Sequence, residues 1–142
     1  MPPVKGLLRL AVMVAFALVP MAALASSGSS QVWATNCNKE QYKPQEIIVA
    51  CGDAGTYVNR LKWSSWTTTK ASGKGEYTYN TCKPMCDDGN LKSFAVDATL
   101  TDAKSCKNEP HKAFTKLELT FTQGRPTYVK KSTYSLTLGC PF

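Results

Sequence analysis

The sequence is short of histidine and of acid: His111 stands alone, and 10 Asp and Glu are set among 142 residues. A lone histidine, with no second cysteine pair at finger-like spacing, argues against a zinc site. No G-x-S-x-G elbow occurs, so a serine nucleophile with His111 as base is not expected. Glu109 and Pro110 place His111 in an exposed loop instead. Asp87, Asp88 and Asn90 crowd together without the alternate-position ligand spacing of an EF-hand, and read better as a hairpin turn than as a calcium site. Nothing nominates a cofactor, and no pair of carboxylates is picked out for glycoside hydrolysis, whose geometry is spatial and not sequential. The expectation is therefore a protein that is not an enzyme.

Charge points outward. The formal net charge is +7, which favours anionic surroundings such as an envelope polymer. The lysines (Lys39, Lys43, Lys62, Lys70, Lys74, Lys92, Lys116, Lys130) are scattered and not interleaved with aromatics in a block. Nucleic acid is not an expected partner.

The one long apolar run lies at the start. Lys5 and Arg9 flank Leu10 to Val19, Pro20 interrupts the stretch, and Ala23, Leu24 and Ala25 form the small-x-small pattern read by a signal peptidase. Residues 1–25 are expected to be a signal peptide, with the mature protein secreted. No second run reaches the ~20 apolar residues that span a bilayer, so no membrane association is expected after cleavage. Residues 26–36, SSGSSQVWATN, suit a flexible leader. Residues 37–142 then form a single β domain.

Six cysteines follow the cleavage point: Cys37, Cys51, Cys82, Cys86, Cys106 and Cys140. An even number in a chain bound for an oxidising compartment reads as disulfides, although the sequence leaves the connectivity open. Neighbour pairing is the working expectation. Loop closure would then contribute about 3, 2 and 4 kcal/mol in chain order as an upper bound.

Between the cysteines the chain alternates with period two and carries no helix-period stretch longer than a turn or two. Residues 46–51 read as a buried strand. In residues 56–66, Tyr57, Leu61 and Trp63 share one parity and so one face. Phe94, Val96, Ala98 and Leu100, then Leu117, Leu119 and Phe121, then Tyr134, Leu136 and Leu138 mark half-buried strands. This pattern describes an all-β fold, a small disulfide-stabilised β-sandwich or alternatively a small β-barrel. Ala71, Gly73 and Gly75 would leave a bare strip on one strand face, able to receive a ring from a neighbour, with Trp63 the candidate. The competing reading is a turn at Gly73 to Gly75. Trp63 and Trp66, three apart on a strand, would face opposite ways. Trp63 is then the core residue and Trp66 the possible ligand contact, stacking on a sugar or covering a second sheet.

The stretch TCKPMCDDGN brings Cys82 and Cys86 close together. A redox pair needs a stabilised thiolate, and Asp87 and Asp88 disfavour one. A structural tie across a loop is the better reading.

The elements CGDAG, LKWSSW, ASGKG, CKPMCDDG and GRP, spanning roughly Cys51 to Leu138, resemble a group of small secreted proteins of actinobacteria. The resemblance implies export and a compact β domain, and it assigns no functional residue. Cys106 and Cys140 depart from many such proteins. The functional expectation is a secreted, non-catalytic module that binds a cell-envelope or host component, whether anionic polymer, glycan or protein. Two alternatives accompany it. One is a protease inhibitor presenting Lys83 or Met85 on the tied loop; the other is a carbohydrate-active hydrolase, which would need a cleft with a carboxyl group of raised pKa.

Overall fold

The computed structural model describes residues 30–141, with Pro2 alone among those before them. The expected signal peptide, residues 1–25, and the first part of the expected leader lie outside the described residues, Pro2 apart.

Eight strands follow one another: β1 (Val32–Asn36), β2 (Lys39–Gln41), β3 (Ile47–Ile48), β4 (Thr56–Trp66), β5 (Ala71–Asn80), β6 (Leu91–Ser105), β7 (Lys112–Phe121) and β8 (Thr133–Thr137). Among the described residues a single 3₁₀ turn, Cys86–Asp88, interrupts them. Among the described residues no helix is long and apolar enough to cross a membrane. The strands form one sheet in the order β2-β1-β7-β6-β5-β4-β3, with β8 paired to β7 off that path. The sheet curls into a half-barrel. The all-β, disulfide-stabilised fold expected from the sequence is thus present, as one curled sheet and not two stacked ones.

Period-two alternation builds the core. Across the central strands Ala71, Leu100 and Leu117 align, as do Gly73, Ala98 and Leu119, and Gly75, Val96 and Phe121. Leu100, Leu117 and Leu119 are fully buried. The small residues on β5 leave room that β4 fills. A Cβ added at Gly73 would lie 2.6 Å from the Lys62 carbonyl oxygen and 3.0 Å from Trp63 Cε3, so Trp63 covers the bare strip there. Leu61 does the same at Gly75.

Parity along β4 differs from the sequence reading. The register against β5 shifts between Asn59 and Lys62 and again between Trp63 and Ser65, and Arg60 takes a left-handed φ of 53°. Each bulge inserts an extra residue and flips the side chains that follow. Val58, opposite Tyr77, therefore shares the inner face with Leu61 in place of Tyr57, and Trp66 shares a face with Trp63.

The leader expectation is also corrected for its last residues. Val32, Ala34 and Thr35 are buried because β1 pairs in parallel with the start of β7, Val32 to Ala34 against Lys112 to Phe114. The remainder of that β7 edge, Lys116 to Thr120, takes β8. One strand edge thus anchors both ends of the domain.

The disulfides join Cys37 to Cys51, Cys82 to Cys86 and Cys106 to Cys140, and no cysteine is free. The first lies where the two flanks of the sheet approach each other. There the Asn36 side chain donates to the Glu46 carbonyl and accepts from the Ile48 amide, so β1 and β3 are bridged without strand pairing. The third ties the β6–β7 turn to the segment after β8.

Candidate functional site

A continuous file of aromatic rings runs from the concave interior to the surface. Trp63 and Trp66 meet edge to face with centroids 4.9 Å apart, Trp66 meets Tyr42 at 5.5 Å, Tyr42 meets Trp33 at 6.1 Å, and Trp33 stacks on His111 at 4.4 Å. The inner members are fully engaged. Trp63 Nε1 donates to the Pro44 carbonyl and Trp66 Nε1 to the Val32 carbonyl, each at 2.8 Å, and Trp66 also packs against Phe114 at 5.6 Å. Trp66, the ligand contact considered from the sequence, is half-buried and joins β4 to β1. The exposed ring of the file is Tyr42, at 38%.

The outer members are less well satisfied. Glu40 on β2 is paired with Thr35 on β1, and Trp33 with Ala113 on β7. Strand alternation therefore places Trp33, Thr35 and Glu40 on a common face. The Glu40 side chain is only 5% exposed. Its Oε2 lies 3.3 Å from His111 Nδ1, whereas its Oε1 and the Trp33 Nε1 have no hydrogen-bond partner among the described residues. Burial raises the Glu40 carboxyl above its ordinary range; the His111 hydrogen bond works against this, and the nearby Glu109 charge adds to it. His111 lies in the loop before β7, as expected, with its side chain 37% exposed and one face covered by Trp33, which the strand pairing of β1 lays against it.

Beside this wall opens a surface hollow of ≈580 Å³, lined among others by Trp33, Glu40, Gln41, Tyr42, Gln45 and Glu46. Among the described residues no Lys or Arg lines it, although the chain as a whole is basic. Aromatic faces with amide and carboxylate oxygens beside them suit a polyhydroxylated ring, which stacks with its C–H face and donates through its hydroxyls.

A second aromatic cluster lies along β5 and its neighbours. Tyr77, 2% exposed, contacts Phe121 at 5.6 Å and Tyr134 at 6.2 Å. Its hydroxyl shares a 2.7 Å hydrogen bond with that of Tyr128. Burial raises both phenols above the usual tyrosine range, and for Tyr77 the bond to Tyr128 adds to the rise.

The tied loop is bonded mainly to itself. Asn80 Nδ2 donates to the Cys86 carbonyl, its Oδ1 accepts from the Cys82 amide, and Asn90 Nδ2 donates to the Lys83 carbonyl. Asp88 Oδ2 accepts from the Met85 amide. Lys83 and Met85 are exposed. Among the described residues no group of three or more His, Cys, Asp or Glu is arranged to hold a metal ion. Comparison with known proteins finds no matching family model, no matching curated protein and no matching solved structure.

Proposed function

We propose that this chain is a secreted, non-catalytic module that binds a glycan of a cell envelope or host surface in the hollow before Trp33 and Tyr42. One observation carries the reading: the rings of Trp33 and the exposed Tyr42 stand around one hollow with the polar side chains of Gln41, Gln45 and Glu46. Three disulfides favour an oxidising compartment, and the resemblance to small secreted proteins agrees with export.

The test is retention on envelope polysaccharide fractions and on a glycan array at low salt. The intact chain is expected to bind, and Tyr42→Ala to bind markedly less; no retention on any fraction or glycan would overturn the reading. A second reading, hydrolysis, is favoured by Glu40, a carboxyl of raised pKa lining a cleft. It ranks lower because one oxygen is held by His111 and the other is sealed from solvent. Release of reducing ends from a bound polysaccharide, abolished in Glu40→Gln, would promote it. The inhibitor reading has less support still, since the tied loop spends its backbone groups on internal bonds.

A further inference from the structure

We infer that the glycan taken in this hollow is an amino sugar carrying a free, protonated amine. The inference rests on the glycan reading and adds the charge of the ligand. Glu40 and Glu46 line the hollow, and no lysine or arginine does so among the described residues. In a chain of formal net charge +7, two carboxyl side chains set against the one Lys43 ammonium beside Tyr42 are a local inversion of sign that selects against anions and for cations.

Glu40 sharpens the selection. Its side chain is 95% enclosed, as its 5% exposure requires, and Oε1 accepts no hydrogen bond. A carboxylate removed from water without its full set of donors is destabilised. A cation at the mouth of the hollow offsets that deficit through space, because Coulomb attraction in a partly desolvated site does not require contact with Oε1. The aromatic wall has the same preference. The Tyr42 ring already accepts the Lys43 ammonium, 5.3 Å from its centroid, and the ligand's ammonium takes the place of that side chain on the negative face of the aromatic. A quaternary ammonium fits less well. It lacks N–H donors for the amide and carboxylate oxygens of Gln41, Gln45 and Glu46, whereas a primary ammonium has three and the sugar hydroxyls supply more.

Calorimetric titration of the full chain with a glucosamine oligomer and with its fully N-acetylated counterpart of equal length tests this. The free-amine oligomer is expected to bind roughly tenfold tighter, about 1.4 kcal/mol. The gap should shrink in Glu40→Gln and in high salt. Equal or tighter binding of the acetylated oligomer would overturn the inference and leave the glycan reading standing; binding of neither, with no other glycan retained, would overturn both. Should Glu40→Gln fold poorly by circular dichroism, Glu46→Gln serves in its place. An amine preference unchanged in the variant used would likewise overturn the inference, since a basic chain has no general attraction for a polycation.

Discussion

Two clusters of rings, built from similar residues, finish in opposite ways. Around Tyr77 the aromatic contacts are closed and polar: its hydroxyl meets Tyr128, and its ring is enclosed by Phe121 and Tyr134. Around Trp33 the rings are as closely packed, yet Trp33 Nε1 and Glu40 Oε1 are left without partners. Packing alone does not separate a core from a site. Polar satisfaction differs between the two, and an unmet buried donor or acceptor is a cost to folding.

The contrast can be broken most forcefully at Tyr77. Tyr77→Ala empties a buried aromatic position and is expected to cost about 3–5 kcal/mol in urea unfolding, without specific loss of glycan affinity in the folded fraction. Trp33→Ala is the mirror image: the larger part of its effect should appear in binding, as the loss of a half-buried stacking face. If it destabilised as much as Tyr77→Ala and left affinity untouched, the distinction between the clusters would fail.

Smaller changes sharpen the picture. Gly73→Ala places a methyl against the Lys62 carbonyl and the Trp63 ring and should cost about 1–3 kcal/mol by overpacking. Because Trp63 heads the file of rings, some of that strain should reach Tyr42 and weaken binding. Tyr77→Phe, which removes only one side of the hydroxyl pair, should cost about 1 kcal/mol.

The smallest expected effect is a pH dependence. Glu40 holds its proton more tightly in the folded chain than in the unfolded one. Its contribution to stability is therefore intact below the ordinary glutamate range and is lost as pH rises through the raised folded value. Glu40→Gln cannot ionise, so its stability relative to the parent should climb across that window and level off above it. Urea midpoints measured at a series of pH values check the sign.

Much of the fold was legible. Alternation at Val96, Ala98 and Leu100 and at Leu117 and Leu119 marks strands whose pattern survives intact in β6 and β7, and the small residues of β5 announced the ring that covers them. What escaped was long-range or local in ways that composition does not record. The pairing of β1 with β7 joins residues some eighty positions apart, and the small polar residues around Val32 hid it. A tryptophan inside a supposedly flexible leader was the available signal. The bulges in β4 reverse parity without any Gly or Pro to flag them, so Trp66 was assigned to the wrong face. The site suffered most, because Trp33, Glu40 and His111 come from three separate segments that only the strand pairing brings together.

The three sulfur bridges join cysteines that are consecutive in the chain, so none encloses or crosses another. As the polypeptide emerges from its amino end, each cysteine that completes a bridge finds its proper mate to be the nearest one still unbonded. Oxidation in that order therefore gives the final pattern without any bond having to be broken and remade.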